Sequence, residues 1–523
     1  MSWFSRFNPT PAFPSYTGPY KVGSVDVEIP AADLDSPSPA PNSSLATVAF
    51  RIFYPCEPSS HERPVRWIPN PQRGYVSAYA RFIGANSAFS DIFAVLPQLL
   101  YYVTIPVHRN AQLLEPPTQS KRWPVMVFSH GLGGSRNTYS HLLGSLSSHG
   151  IVVIAPDHRD GSSPITYIRA TEESEAKTID YNRIPHTPSP EVFEERDEQL
   201  KIRLWELGLI YDVLLKIDNG SPVKNLDPNQ SSRSRKHEHN EILSMFRDML
   251  DVHQPGSISW GGHSFGGATM VQFVKSTFYH TSPGEKVDYL PLFTPSKSSS
   301  IVHQITPASP VVLLDMWCMP LQSPSTKWLR DKPMPCYDPT GPGGTVLLAV
   351  LSEVFFKWRT HLQETKRVLS EAPVSDTPVH TKSGPRFFYP INSAHLSQSD
   401  FGILFPWVTT NIFGAKEPQR TLRLNVRAIL QVLRDAGVKV ADTSRIDMEE
   451  EKASLNEVVV SEGKNQDWKI LDTKSGSVRG WVALTTDPDP VDDAEETEKV
   501  SKSPAAAVAE GEALGEIIKG EGL

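Results

Sequence analysis

The stretch from Ser257 to Thr269, with the sequence SISWGGHSFGGAT, constrains the fold of this chain more than any other. It predicts a short strand, a tight turn at Ser264 and a helix that begins near Phe265. Such a bend lifts the serine hydroxyl out of the backbone, and its crowding requires the small neighbours Gly262 and Gly266. The free N–H groups at the start of the helix can hold the anion that forms when an acyl carbonyl is attacked. The stretch therefore predicts a nucleophilic serine at a strand–turn–helix bend, which is called a nucleophile elbow. The alternative is a glycine-rich turn before a core helix.

A second glycine-rich turn follows the apolar segment from Trp123 to Phe128, which has the composition of a buried strand. The turn reads SHGLGG over residues 129–134. In hydrolases with a serine at such a bend, a turn of this type after a strand supplies the second N–H group of the oxyanion hole, the site that binds the anion formed from the acyl carbonyl. A phosphate-binding loop is disfavoured, because the Lys-Ser/Thr ending of a P-loop is missing.

Two further polar residues follow apolar strands later in the chain. Asp315 comes directly after the segment 311–314, and His395 comes shortly after the segment 386–391. A serine nucleophile needs a neutral imidazole to accept its proton and a carboxylate to orient that imidazole. The order Ser264, Asp315, His395 predicts an α/β-hydrolase fold with a mostly parallel central sheet and helices on both faces, in which the three residues form a catalytic triad.

Composition divides the chain into three parts. Residues 1–45 are rich in Pro and Ser and predict a mostly irregular N-terminal extension, although residues 21–29 could form a first strand. Residues 46–440 predict the catalytic domain with an insertion at 281–310. Residues 441–523 carry 20 acidic against 9 basic side chains, which accounts for the formal net charge of −8. This acidic tail is expected to be largely disordered, apart from a possible short ordered piece around 468–484.

Several classes of protein are disfavoured by what the sequence lacks. Three scattered cysteines, Cys56, Cys318 and Cys336, do not suit a disulfide framework or a thiolate metal site. There is no basic stripe with interleaved aromatic residues, so nucleic acid is not an expected partner. Neither a signal peptide nor a spanning segment is evident, which predicts a cytoplasmic protein. No metal, cofactor or obligate protein partner is expected.

One apolar segment allows two interpretations. Its large side chains recur at helical spacing, which predicts an amphipathic helix. The helix could pack on the core, or it could hold its apolar face at a lipid surface, as in monotopic enzymes, so that the protein contacts membranes peripherally. The residues concerned are Phe89, Phe93, Leu96, Leu100 and Tyr101.

A set of sequence blocks resembles a known family. The chain is similar to the platelet-activating factor acetylhydrolases, the group VII phospholipases A2, and looks like a fungal-type intracellular member. The similarity extends from about residue 51 to residue 433. It is specific, because most hydrolases of this fold share the elbow but not this set of blocks. The blocks are WIPN (67–70), FSHGLG (128–133), HRD (158–160), PVKN (222–225), GHSFGGAT (262–269) and LDMWCMPL (314–321).

The resemblance implies a calcium-independent serine esterase that removes acetyl, short or oxidised acyl chains from the sn-2 position of phospholipids. It also implies that the backbone N–H groups of Leu132 and Phe265 form the oxyanion hole, and that the apolar segment at 89–101 is interfacial. The insertion before Asp315, the acidic tail and the missing secretion signal depart from the family pattern.

Two other functions remain open at this point. The motifs predict acyl transfer but do not name the acyl group, so a carboxylesterase or lipase with a substrate other than a phospholipid is the nearest alternative. A hydrolase-fold protein that only binds ligands is the other, and the intact Ser264, Asp315 and His395 argue against it.

Overall fold

The structure is a computed structural model. It describes residues 11–42, 44–83, 100–228, 242–281, 288–375, 380–411, 413–444, 470–471 and 478–488. The β-strands in chain order are β1 (Lys21–Pro30), β2 (Thr47–Cys56), β3 (Val65–Arg66), β4 (Thr104–Ile105), β5 (His108–Arg109), β6 (Trp123–Ser129), β7 (Val152–Pro156), β8 (Ile165–Ile168), β9 (Lys177–Asp180), β10 (Leu250–Asp251), β11 (Ile258–His263), β12 (Val311–Leu314), β13 (Leu347–Val350), β14 (Arg386–Pro390) and β15 (Trp481–Ala483).

The α-helices lie between and after these strands. In chain order they are α1 (Gln72–Ile83), α2 (Ser140–Ser148), α3 (Pro190–Asp218), α4 (Phe265–Phe278), α5 (Ile301–Gln304), α6 (Lys327–Arg330), α7 (Glu353–Lys357), α8 (Arg359–Leu369), α9 (Asp400–Leu404), α10 (Pro406–Asn411) and α11 (Pro418–Asp435).

A central sheet runs through the described part of the chain in the order β15-β14-β13-β12-β11-β6-β7-β2-β1-β5, with β10 beside β6. The strands from β7 across to β14 pair in parallel. The β7–β2, β2–β1 and β14–β15 pairs are antiparallel, and the short β5 pairs with β1 in parallel. The predicted α/β-hydrolase fold, with its mostly parallel sheet, is therefore confirmed. The register places His263 opposite Leu314, and Leu314 opposite Val350, so the carboxyl ends of these strands lie along one edge of the sheet.

Side chains of the central strands alternate between two apolar cores, one on each face of the sheet. On β6, Val125 and Val127 belong to the core that α3 and α4 cover, whereas Met126 and Phe128 belong to the core that α2 and α11 cover. Alternate side chains of a strand point to opposite faces. A strand buried on both sides reads as a continuous apolar run for this reason, as β6 and β7 do.

The possible first strand at 21–29 is present as β1, but it belongs to the central sheet rather than to an extension that precedes the domain. It pairs with β2 over its whole length, from Lys21 opposite Cys56 to Pro30 opposite Thr47. Arg51 on β2 donates through Nε to Asp26 on β1 at 2.9 Å. The ordered sheet thus begins well before residue 46.

The short ordered piece expected around 468–484 contains strand β15. Strand β15 pairs with β14 and forms the end of the sheet. Trp481 is 6% exposed, and its ring stacks on Phe388 with centroids 5.2 Å apart. Its indole N–H donates to the Ile470 carbonyl at 2.7 Å. Residues 470–471 and 478–488 therefore belong to the folded body, and the hydrolase unit does not end at residue 440.

The amphipathic segment falls mostly outside the described residues, which exclude Phe89, Phe93 and Leu96. Leu100 is buried in the core on the α2 side, so the prediction that it faces a lipid surface is wrong. Tyr101 is half-buried, and its carbonyl accepts a hydrogen bond from Gln72. Among the described helices, none combines the length and the hydropathy needed to cross a bilayer.

Candidate active site

Ser264 occupies the turn between β11 and α4 with φ 58° and ψ −122°. Few non-glycine residues adopt a positive φ, and the cost is accepted at functional sites where the surroundings fix the backbone. The Ser264 N–H donates to the Leu314 carbonyl of the neighbouring strand at 2.9 Å. This bond holds the turn against the end of β12, directly beside Asp315.

The two glycines of the motif are required by close backbone contacts. A Cβ atom on Gly262 would lie 2.3 Å from the Gly266 carbonyl oxygen, and one on Gly266 would lie 2.0 Å from the Ser129 carbonyl oxygen. Both clashes are with backbone, which cannot move aside as a side chain can. The elbow therefore packs α4 directly on the end of β6, where the second glycine-rich turn begins.

Asp315 and His395 are brought into direct contact. The His395 Nδ1 atom lies 2.9 Å from Asp315 Oδ2, while Asp315 Oδ1 accepts the Ser352 N–H at 2.6 Å. The Asp315 N–H donates to the Val350 carbonyl at 2.7 Å. Both carboxylate oxygens are thus occupied, and the carboxylate fixes the imidazole with its Nδ1 atom protonated and its Nε2 atom free to accept a proton.

The His395 ring lies between two other rings. Phe355 of α7 stacks on it with centroids 4.6 Å apart and planes 6° apart, and the His263 ring lies 4.3 Å away. Because His263 immediately precedes Ser264, this contact places His395 beside the elbow. Burial lowers the pKa of His395, which keeps the imidazole neutral and able to act as a base.

Asp315 is fully buried, and burial raises its pKa, whereas the nearby His263 and the bonds from Ser352 act in the opposite direction. Burial also lowers the pKa of His263. A neutral His263 adds no second positive charge when His395 takes up a proton. The site can therefore hold a transferred proton on the His395 imidazole, next to the Asp315 carboxylate.

His263 and Tyr139 join the elbow to the second glycine-rich turn. The Tyr139 hydroxyl lies 2.8 Å from His263 Nδ1 and accepts the Gly131 N–H at 3.1 Å. Phe355, Ser352, His263 and Tyr139 were not singled out from the sequence. Only His263 had a local signal, because it lies inside the elbow motif.

The predicted oxyanion-hole residues flank the serine. Phe265 is the first residue of α4, where a backbone N–H has no acceptor within the helix. In the 129–134 turn, the N–H groups on either side of Leu132 have partners: Gly131 donates to the Tyr139 hydroxyl and Gly133 donates to the Ser162 carbonyl. The Leu132 N–H lies between these bonded amides, in the turn that approaches Ser264.

A polar cluster lies behind this turn and includes the loop that follows β7. Ser129 Oγ lies 2.9 Å from His158 Nε2, and His158 Nδ1 lies 2.7 Å from Glu206 Oε2 on α3. Burial raises the pKa of Glu206 to about 8 and lowers that of His158. Both side chains are therefore neutral near pH 7, and their contacts support the turn from below.

One group of side chains in the described ranges could hold a metal ion. His263, Asp315 and His395 each offer one ligand atom, and these atoms lie within 4.8 Å of one another. A hard cation such as Ca²⁺ requires six to eight oxygen ligands, but this group offers a single carboxylate that is already hydrogen-bonded on both oxygens. The donor set does not fit calcium.

The chain matches a family model and several known protein sequences. The model, described as platelet-activating factor acetylhydrolase, isoform II, matches residues 6–455. A putative phospholipase A2 of Schizosaccharomyces pombe is 27% identical over 460 residues, which cover 83% of this chain and 94% of the relative.

The acetylhydrolases themselves match over about half of each chain. The enzyme of Cavia porcellus is 32% identical over 264 residues, covering 50% of this chain and 51% of its own. A solved ferulic acid esterase of Streptomyces cinnamoneus has 15% identity and a TM-score of 0.41, with 82% of this chain and 92% of that chain covered. Because the family model spans most of the sequence, the chain belongs to the platelet-activating factor acetylhydrolase isoform II family and is a carboxylic ester hydrolase.

Proposed function

We propose that the chain hydrolyses the sn-2 ester of phospholipids that carry an acetyl, short or oxidised acyl group, with Ser264 as nucleophile, His395 as general base and Asp315 as the residue that orients it. The observation that carries this proposal is the His395–Asp315 hydrogen bond of 2.9 Å next to the strained elbow. The triad order and the strand-end positions support the same assignment.

In the proposed mechanism, Ser264 Oγ attacks the sn-2 carbonyl while His395 Nε2 accepts the hydroxyl proton. The tetrahedral oxyanion is stabilised by the Leu132 and Phe265 N–H groups. The intermediate breaks the bond to the glycerol oxygen, which leaves as a lysophospholipid after taking the proton from His395. Water then attacks the acyl-enzyme by the same route and releases the carboxylic acid and free Ser264.

The confined surroundings of the serine support a small acyl group. Ser264 is 2% exposed. A Cβ atom added to Gly131 would lie only 2.8 Å from the Cβ atom of Ser264. The Phe355 ring covers one face of His395. Relatives whose names state acetyl hydrolysis point the same way.

A panel of phosphatidylcholines tests the substrate class directly. Purified protein is given sn-2 acetyl, sn-2 hexanoyl and sn-2 palmitoyl substrates, with p-nitrophenyl acetate as a simple ester, and release of lysophospholipid is measured. Hydrolysis should fall as the sn-2 chain lengthens. Comparable turnover of the palmitoyl substrate, or turnover of p-nitrophenyl acetate alone, would assign the chain to a different class of esterase.

The same assay tests the roles of the residues and of calcium. Ser264→Ala should lower turnover by on the order of 10⁴-fold or more. Ser259 is a buried serine on β11, the strand that leads to Ser264, and Ser259→Ala should keep full turnover. Activity should survive EDTA, because the described site lacks an oxygen cage for calcium. Loss of activity in EDTA that added Ca²⁺ restores would contradict the mechanism.

We also propose peripheral contact with membranes that contain the substrate. Tyr102 is 64% exposed, and the Arg66 guanidinium lies over its ring at 5.4 Å. An aromatic side chain paired with a cation suits the headgroup region of a bilayer. Tyr102→Ser should weaken binding to phosphatidylcholine vesicles and leave hydrolysis of p-nitrophenyl acetate unchanged. Equal binding of both proteins would contradict this contact.

A further inference from the structure

Arg203 lies on α3 and is fully buried. A buried guanidinium needs partners for all of its donors, and its planar fork holds those partners in fixed relative positions. Besides Asp160 and Ser162, the partners of Arg203 come from two separate elements, each next to a proposed oxyanion-hole residue. The proposed function uses neither Arg203 nor its partner Asp160.

The first element is the glycine-rich turn. Arg203 Nη1 donates to the His130 carbonyl at 2.8 Å and lies 3.3 Å from Ser129 Oγ. His130 itself is locked in place, since its Nδ1 atom lies 2.9 Å from the Gly131 carbonyl and its Nε2 atom accepts the His158 N–H at 3.3 Å. Arg203 thus holds the backbone two residues before Leu132.

The second element is the start of α4. The Arg203 guanidinium lies 4.3 Å from the centroid of the Phe265 ring, a cation–π distance. Its Nη1 atom also donates to Thr269 Oγ1 at 3.3 Å, and the Thr269 hydroxyl in turn donates to the Phe265 carbonyl at 2.8 Å. Arg203 therefore contacts the Phe265 ring directly, and it contacts the Phe265 backbone carbonyl indirectly, through the Thr269 hydroxyl.

Asp160 and Ser162 complete the arrangement. Arg203 Nε lies 2.5 Å from Asp160 Oδ2, and Nη2 lies 2.5 Å from Ser162 Oγ. The Ser162 carbonyl accepts the Gly133 N–H at 2.8 Å, so the turn is held on both sides of Leu132. The ion pair with Asp160 also neutralises the buried charge.

We propose that Arg203, fixed by Asp160, is a positioning residue that holds the Leu132 and Phe265 N–H groups at the separation that the oxyanion requires. The inference rests on the proposed function, because it assumes that these two N–H groups bind the oxyanion. Donors in such a site act only within a narrow range of distances from the developing charge, so a small shift of the turn against the helix should affect the chemical step more than substrate binding.

The test compares Arg203→Met with the wild type on p-nitrophenyl acetate. Active sites are counted by titration with a fluorophosphonate, so that unfolded protein does not lower the apparent rate. Per titrated site, kcat should fall by on the order of 10²-fold, the effect of losing one oxyanion donor, with a small change in KM. The inhibition constant of an alkyl trifluoromethyl ketone, whose adduct carries an oxyanion, should rise by the same factor as kcat/KM falls.

Arg159→Met is the matched control. Arg159 is equally buried and pairs with Glu28 at 3.3 Å, but its hydrogen bonds go to Asp157, Glu28 and Thr47 rather than to the turn or to α4. It should lose stability without a matched rise in the inhibition constant. Arg203→Lys should fall between wild type and Arg203→Met, because an ammonium can pair with Asp160 but lacks the fork.

Two results would overturn the inference. One is a wild-type kcat per titrated site for Arg203→Met, and the other is a fall in kcat without a parallel rise in the inhibition constant. If Arg203→Met does not fold, Ser162→Ala tests the same point with a smaller shift of both constants in parallel, and no shift would count against it. Full activity of Ser264→Ala would instead refute the proposed function itself.

Discussion

Trp481 provides a quantitative test of where the folded body ends. It lies on β15, opposite Pro390 of β14, and the Ile391 N–H donates to the Gly480 carbonyl at 2.8 Å. This contact is four residues before His395. Replacing Trp481 with alanine should therefore destabilise the end of the sheet and loosen the segment that carries the catalytic histidine.

The magnitude follows from the burial of the ring. Trp481 is 6% exposed and packs on Phe388, which is fully buried. Removing a buried tryptophan side chain costs roughly 3 to 5 kcal/mol of stability. The lost hydrogen bond to Ile470 accounts for about 1 kcal/mol of this cost. Whole domains are stable by only about 5–15 kcal/mol, so Trp481→Ala should remove a large fraction of the stability.

The assay is a thermal melt followed by circular dichroism, together with turnover of p-nitrophenyl acetate. We expect Trp481→Ala to lower Tm by roughly 6 to 10 °C, since about 3 to 5 kcal/mol is lost and large domains shift by about 2 °C per kcal/mol. Val482→Ala is the control, because its side chain is half-buried and should cost about 1 kcal/mol. A chain that ends at residue 440 should be less stable than one that ends at 488. Equal melting of Trp481→Ala and wild type would refute the packing of this segment.

Two further predictions concern the elbow and pH. Gly266→Ala should abolish turnover and lower the yield of folded protein, because its Cβ would lie 2.0 Å from the Ser129 carbonyl oxygen; normal turnover would contradict this geometry. The Tm should fall as pH drops from about 6.5, the ordinary histidine value, towards 4.5, because buried neutral histidines take up protons only on unfolding, at about 1.4 kcal/mol per pH unit each. Asp197, Asp315 and Asp400, whose pKa burial raises to about 6, and Glu206, whose pKa burial raises to about 8, return part of this loss by binding protons in the folded state. A constant Tm over this range would contradict the prediction, which rests on five histidines whose pKa burial lowers to about 3 or 4, namely His130, His141, His186, His361 and His395.

The parts of the site that were predictable are those with a local sequence signal. The elbow is a contiguous stretch in which glycine spacing, an apolar strand and a helix occur together. Asp315 and His395 could be placed because each follows an apolar strand, and parallel strands end at one edge of the sheet. Their contact at 2.9 Å is a consequence of that topology.

The remaining contacts join positions that the sequence does not connect. Tyr139 and His263 are 124 residues apart, and Arg203 and His130 are 73 residues apart. The β15 strand has three residues in an acidic region, too few for a periodic signal to appear. Its burial depends on the exposed edge of β14, which exists only once the sheet has formed.

The most direct test of the central claim is the site of covalent modification by a fluorophosphonate. Only a serine activated by a neighbouring base reacts rapidly with this reagent. Intact-protein mass spectrometry should detect one adduct per chain, peptide mapping should place it on Ser264, and His395→Ala should slow its formation by several orders of magnitude. Modification of another residue, or equal labelling of Ser264→Ala, would contradict the assignment of Ser264, His395 and Asp315 as the catalytic triad.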